Sequence, residues 1–551
     1  MQTKKGNLHL EIQTSRKNPV GLLRTTYWDK KLKKNCHTQH GRITGCTLEQ
    51  LKMLQHSFRN EVTPVGDHGA FRIISSRELG ASQVIIELAR SLGLHRMIYS
   101  RAEPWVENVM AMIAGRIIYQ GSKFGLCNQW KNTCLWELCG VAGKPDVDKH
   151  CYAPLDRLLA RQKAIQKKLA KKHMQNGVLV LYDITSTYFE GEYEESELVT
   201  YGYNRDRKKG FEQIVIGLIT NEKGCPVGCE VFRGNTNDSS TVMDKMNEIR
   251  NSFGLDNFIF VGDRGMVTQG RFEDIRKLEG INTISALTHA QLRTLLDRNV
   301  LAPELFDEKS TIEIIDPDDT ELRYCLCKNP VTLENERATR KRLLKLTQEG
   351  LNQIASYKKK STVETLGARV GKLLAKYKMG KFVKWSIKAD AVNVKSRSHQ
   401  LIWEFDQEKI TKEKQLDGCY VIRTDAPKET LGGKSVIDAY KSLGNVERAF
   451  RNLKTIQLEM RPVYHKTDDR IRAHIFLCML AYYVQWNMQQ RLQPLFDGDG
   501  CGSKRRWSFG GVIECLRQRS RHTVSIQGIE YQQNGELTEE QQQIVNLLKI
   551  I

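Results

Sequence analysis

The chain has 551 residues, enough for several domains and a large buried core. Its 85 Lys and Arg against 64 Asp and Glu leave a net charge of +21, so the expected partner is a polyanion, with nucleic acid ahead of a membrane surface. The most apolar stretch, "IFLCMLAYYV" (475–484), is short of the roughly 18 to 20 residues a spanning helix needs, and the start "MQTKKGNLHLEIQ" lacks the apolar region of a signal peptide, so no membrane partner and a cytoplasmic location are expected.

In chain order, residues 1–75 read as a small basic unit of alternating segments ("HLEIQ", "GLLRTTYW") and basic turns ("DKKLKKN"). Residues 76–175 read as a helical, DNA-binding region. Ser82 is placed to cap "QVIIELARSL", with Ile85, Leu88, Ala89 and Leu92 on one face and Gly93 as the stop. Pro104 opens "PWVENVMAMIAGRIIY", and "PLDRLLARQKAIQKKLAKKH" (154–173) carries Leu155, Leu158, Leu159, Ile165 and Leu169 at helical spacing. Lys163, Lys167, Lys168, Lys171 and Lys172 fall on its outer side, as a solvated face or as a surface for backbone phosphates.

Residues 176–284 change texture. "VLVLYD" (178–183), "FEQIVIGLIT" (211–220) and "PVGCEVF" (226–232) are strands, "NEKG" (221–224) is a turn, "STVMDKMNEIRNSF" (240–253) is a helix and "NFIFVGD" (257–263) is a further strand. This order is mixed α/β, with two strands buried on both faces, and ligands in such sheets sit at strand ends, where Asp183 and Asp263 stand. Each aspartate alone reads equally well as a turn former or cap. Residues 285–415 read as an insertion, with a basic helical run (337–361) and the strand-like "KFVKWSIKAD" and "SHQLIWEFDQEK". Residues 416–490 return with "LDGCYVIRTD" and helices, and 491–551 form a C-terminal region.

Fourteen cysteines are present; Cys225 with Cys229 and Cys325 with Cys327 lack the CxxC spacing of a zinc site, so buried, inert thiols are expected. In "YKSLGNVERAFRNLK" (440–454), Tyr440, Glu447 and Lys454 share one face of a continuous helix. Gly444 costs about 1 kcal/mol there. A break with Asn445 as a new cap would leave Glu447 and Lys454 aligned and displace Tyr440.

Taken together, "YDITSTYFEG", "GNTNDSST", "VGDRGM" and the spacing Y-(2)-L-(3)-E-(6)-K resemble the DDE transposases of bacterial insertion sequences, specifically the YREK-signature group, over roughly residues 80–490. The resemblance implies an RNase H-like mixed-sheet catalytic core with an inserted domain, preceded by a basic, mainly helical N-terminal region. It implies Asp183, Asp263 and Glu447 as the catalytic, metal-binding triad, with Mg²⁺ as cofactor and Mn²⁺ as a substitute. Tyr440 and Lys454 fall on the signature's DNA-contacting tyrosine and lysine. Leu443 stands where the signature has arginine, so the phosphate contact implied there is either absent or supplied by another base such as Arg448 or Arg451.

Three carboxylates suit a hard cation that prefers oxygen ligands, and two such ions about 3.5 to 4 Å apart can activate an attacking oxygen and stabilise a leaving one. The implied activity is cleavage at terminal inverted repeats of double-stranded DNA and joining of the 3′ ends to target DNA, by a homodimer in the DNA complex. The alternatives are an inactive or domesticated DNA-binding regulator of the same fold, and a metal-dependent nuclease without strand transfer. Asp238 reads as a helix cap before a ligand, and Trp385 and Trp403 as core before base-stacking platforms. His465, Arg470 and Arg472 are candidates for the DNA path, Asp468 and Asp469 are first-turn helix charges, and Glu190 and Glu192 are solvated loop charges.

Overall fold

A computed structural model describes residues 8–14, 18–29, 32–58, 71–205, 210–306, 311–357, 361–389, 399–496, 507–526 and 529–550. The chain divides into two compact units, Met1–Ser75 with His522–Gln533, and Ser76–Arg521 with Asn534–Ile551. In the first, β1 (Leu8–Gln13), β2 (Val20–Asp29) and β3 (Lys34–Ile43) form an antiparallel sheet in chain order. The helix Leu48–Phe58 seats the buried Leu51 over Gly21, where a Cβ would stand 2.9 Å from its side chain.

The second unit begins at Ser76, within β4 (Phe71–Glu78), and continues with helices. The helix Gly80–Ser91 buries Ile85, Leu88 and Ala89, Leu92 just past its end is buried too, and Gly93 follows at φ 74°. Ser82 lies inside this helix, and the cap is the Glu78 carboxylate, which accepts from the N–H groups of Ala81 (2.7 Å) and Ser82 (3.1 Å). A carboxylate outside the helix reaches the orphan donors better than a hydroxyl already in the first turn. After a short helix, Leu94–Ile98, Pro104 opens the helix Pro104–Ile118. The expected helix 154–173 is two, Ala153–Ala160 and Gln162–His173, parted at Arg161, whose Nε donates to the Ile98 carbonyl at 2.9 Å while its guanidinium lies over the Tyr99 ring.

The large sheet contains β5 (Val178–Tyr188), β6 (Gln213–Asn221), β7 (Pro226–Arg233), β8 (Phe258–Gly262), β9 (Ile281–Ala286), β10 (Ile312–Ile315) and β11 (Arg323–Lys328), with β14 described below. Its order is β10-β11-β14-β9-β8-β5-β6-β7. β5, β8 and β9 are parallel, and the other pairs are antiparallel. The segment β7-β6-β5-β8-β9 is the RNase H-like core. β6 and β8 are buried along their whole length, as unbroken apolar runs require.

The chain leaves this sheet only after β11, so residues 312–328, inside the expected insertion, belong to the sheet. The excursion holds the helices Pro330–Ala355 and Val363–Tyr377 and a hairpin of β12 (Val383–Ala389) and β13 (His399–Phe405) around a small core of Leu351, Val370, Leu374, Val383 and Leu401. β14 (Cys419–Thr424) then pairs with β11 and β9. Trp385 and Trp403 are cross-strand partners in the hairpin. Trp403 packs on the small core, whereas Trp385, on the same face of the hairpin, is 40% exposed, so the core assignment fails for Trp385.

The run "IFLCMLAYYV" lies in the helix Asp468–Arg491, which packs on β7 and on the helices Pro104–Ile118 and Ala153–Ala160 and is buried nearly all round. Among the described residues no helix is long and apolar enough to cross a membrane. Near the C-terminus β15 (Ser520–Ile526) and β16 (Ile529–Asn534) complete a small sheet ordered β16-β15-β4. The described cysteines are free thiols, and burial pushes those of Cys225, Cys229 and Cys325 up.

Candidate active site

Asp183 does not end its strand. β5 continues to Tyr188 because β6 carries the antiparallel ladder on, pairing Asp183 with Leu218 and Tyr188 with Gln213. What ends near Asp183 is the parallel ladder with β8, whose last pair is Leu181 with Val261. Each pair in that ladder is offset by the same 80 positions that separate Asp183 from Asp263. Carried on by two residues, the register sets Asp183, within β5, level with Asp263, the first residue after β8 stops at Gly262 and the chain turns away. Gly262 lets the packing close in there, since a Cβ would stand 3.0 Å from the side chains of Phe260 and Val267.

Glu447 comes from the helix Leu443–Arg451, which packs on β5 and β6. This helix is pinned at its start: Asn445 Nδ2 donates to the Glu222 carbonyl at 3.1 Å, in the turn that Gly224 closes at φ 80°. Val446, Ala449 and Phe450 are buried, which leaves Glu447 and Arg448 exposed. The helical stripe is broken, but at Ser442 and not at Gly444, so Tyr440 belongs to a separate helix, Gly433–Lys441. Its hydroxyl nonetheless donates to Asp263 Oδ1 at 3.1 Å. Burial and the Asp263 charge push the Tyr440 phenol up, which keeps it a donor.

Lys454 lies in a π-helical turn, Asn452–Ile456, and is buried; Arg451 is exposed. Leu443 is buried, so the position of the signature's arginine is a core position here.

The Asp183 carboxylate accepts the Ile184 N–H at 2.8 Å. Burial, with repulsion from Asp263 and Glu447, pushes its pKa up to about 7, against that hydrogen bond and the nearby Arg205 charge. Asp183 thus feels the charges of two acids that come from distant parts of the chain. Among the described residues no three His, Cys, Asp or Glu side chains stand close enough to enclose an ion alone. In donor chemistry, carboxylate oxygens suit a hard divalent cation that takes its remaining ligands from waters and phosphate oxygens. Arg205, in the basic run "NRDRKK" after β5, escaped the sequence reading; its backbone N–H donates to Ser186 Oγ at 3.1 Å.

Other candidates sit elsewhere. Lys168 Nζ donates to the Arg96 and Met97 carbonyls and Lys172 Nζ to that of Leu92, so these lysines close helix ends, while Lys163, Lys167 and Lys171 remain exposed. Arg470 is held by both Asp156 oxygens at 3.0 and 3.2 Å, and Asp468 accepts from Ser196 Oγ at 2.6 Å. His465 is buried, and the Asp238 side chain lies outside the described residues.

A family model described as "Transposase DDE domain" matches residues 177–484, from the first residues of β5 into the helix Asp468–Arg491. No curated protein matches the chain. Spanning both aspartates, the insertion and the Glu447 helix, that match covers more than half of the sequence: the chain belongs to the DDE transposase family.

Proposed function

We propose that the protein cleaves DNA at the terminal inverted repeats of an insertion sequence and joins the 3′ ends to target DNA, with Asp183, Asp263 and Glu447 as catalytic carboxylates holding Mg²⁺, for which Mn²⁺ can substitute. The observation that carries this is the strand register: it brings Asp183 level with Asp263, next to the Glu447 helix, in a chain of the DDE transposase family. A divalent cation bound there would act as a Lewis acid on the attacking and leaving oxygens.

The chain's own groups define the rest. Asp183 is fixed by the Ile184 N–H and a rigid sheet, and Asp263 by the Arg264 N–H (2.7 Å) and the Tyr440 hydroxyl. Arg448 and Arg451, both exposed, take strand phosphates, and Tyr440 and the buried Lys454 complete the DNA-contacting set where the strand reaches them. The helical region 76–175 and the excess of 21 positive charges hold the duplex, and Lys163, Lys167 and Lys171 offer exposed cations for it. Membership of the YREK group, a homodimer gripping two DNA ends and a cytoplasmic location belong to the same reading. A regulator without activity is disfavoured, because three mutually repelling acids beside a polyanion are a standing cost without a cation.

The test is incubation of the full-length protein with labelled DNA carrying the element's terminal repeats, in Mg²⁺ and in EDTA. Joined products that require Mg²⁺ are expected. Cleavage without joining would make the protein a nuclease, and binding with neither would make it a regulator.

A further inference from the structure

A second site lies among the helices, built from none of the triad residues. A cavity of about 250 Å³ is lined by Arg116, Lys123, Tyr152, His465 and His474, with Phe124 and Tyr464 where it meets solvent. Arg116, Lys123, His465 and His474 are each at most 9% exposed, while Phe124 and Tyr464 are 63% and 68% exposed.

Its charge is unbalanced. Arg116 Nη1 donates to the carbonyls of Gln120 (3.1 Å), Glu459 (3.3 Å) and Leu458 (3.4 Å), which hold the guanidinium without neutralising it. Lys123 Nζ donates to His474 Nδ1, and His474 Nε2 donates to the Met460 carbonyl at 3.1 Å, which fixes a neutral imidazole. Two of the three ammonium donors of Lys123 therefore find no protein acceptor among the described residues. Nor does any carboxylate there pair with Arg116, Lys123, His465 or His474. Arg470, whose pair with Asp156 is closed, adds a further positive field on His465. Burial and Arg116 push the Lys123 ammonium down to about 7, against the buried thiols Cys478 and Cys151.

Buried cations in native proteins are paired. A pocket that gathers two of them, leaves donors open and exposes two aromatic rings at its mouth has the complement of a nucleotide: an anion for the interior and a π-face for the rim. We propose that this cavity is a nucleotide-phosphate subsite, in which Lys123 and Arg116 hold the phosphate of an unpaired nucleotide and Phe124 and Tyr464 stack its base. The DNA-joining reading bears only on whether that nucleotide is part of a strand.

The test is calorimetric titration of the full-length protein in EDTA, where no strand is cut, with inorganic phosphate, thymidine monophosphate and a single-stranded decanucleotide. All three are expected to bind saturably. Lys123→Met should weaken each by about 10-fold or more while melting no lower than the parent, because it removes a buried amine whose charged form has no carboxylate partner there. Phe124→Ala and Tyr464→Ala, at exposed positions, should each weaken the two base-bearing probes by about 10-fold and leave phosphate unchanged. Tighter binding of the decanucleotide than of the monophosphate assigns the site to a DNA strand; the reverse assigns it to a free nucleotide. Absence of saturable binding by the parent, or variants that bind every probe as the parent does, would overturn the proposal. Strand joining in Mg²⁺ is scored separately, so the failure of either reading is seen without the other.

Discussion

Asp183→Asn is expected to lower strand cleavage and joining by about 10³-fold or more, measured as product formed from labelled terminal-repeat DNA in Mg²⁺. Lewis-acid stabilisation of a phosphoryl transition state amounts to several kcal/mol, and each 1.36 kcal/mol is about tenfold in rate. The substitution keeps size, and its amide oxygen can still accept the Ile184 N–H, so only the charge offered to a cation is removed. Asp263→Asn and Glu447→Gln should produce losses of the same order. Pairs of these substitutions should lose little more than one alone, since groups that act as a unit are grossly non-additive. Binding to the same DNA should persist in all three, because removing an acid beside a polyanion does not weaken its attraction to the basic chain.

The same substitution is expected to stabilise the metal-free fold at alkaline pH. Burial, with repulsion from Asp263 and Glu447, raises the folded Asp183 pKa from 3.8 to about 7, so between those values the folded state holds a proton that the unfolded state has released. Stability from this group is therefore fully present below about pH 4, declines as pH rises, and is gone above about pH 7. At about 1.4 kcal/mol for each tenfold change in proton affinity, and less for solvent screening of a partly exposed side chain, the effect is on the order of a few kcal/mol. Thermal melts in EDTA at pH 5 and pH 8 should show the wild type losing several degrees relative to Asp183→Asn at the higher pH. Adding Mg²⁺ at pH 8 should restore the wild type and leave the variant unmoved. A variant that is more stable and yet inactive separates chemistry from folding.

Much of this architecture is legible in residue patterns, and the exceptions have physical causes. β6 and β8 read correctly as strands because burial on both faces demands unbroken apolar runs. β5 reads short because its second half, Thr185, Ser186 and Thr187, buries hydroxyl side chains, and the partner strand β6 that extends it is not visible in local periodicity. The register that aligns Asp183 with Asp263 is likewise a tertiary fact. The break at Ser442 and the π-helical turn at Lys454 carry no Pro or Gly at the point of change, so the pattern offers a longer regular stripe than the chain adopts. Composition placed the insertion at 285 because β10 and β11 differ in texture from β5 to β8, yet their ladder to β14 makes them sheet. The cationic cavity around Lys123 was invisible, since its lining comes from two distant stretches of chain, Lys123 and His474 lying 351 positions apart, and each residue alone is unremarkable in sequence.

The central claim is that Asp183, Asp263 and Glu447 converge on one cation, and iron-directed cleavage of the chain reads this directly. Fe²⁺ supplied in place of Mg²⁺, with ascorbate and peroxide, releases hydroxyl radicals that cut backbone near the bound ion. The expected fragments end near residues 183, 263 and 447, disappear when excess Mg²⁺ competes, and are absent from Asp183→Asn. Cuts confined to one of these segments, or an unchanged pattern in Asp183→Asn, would contradict a shared site.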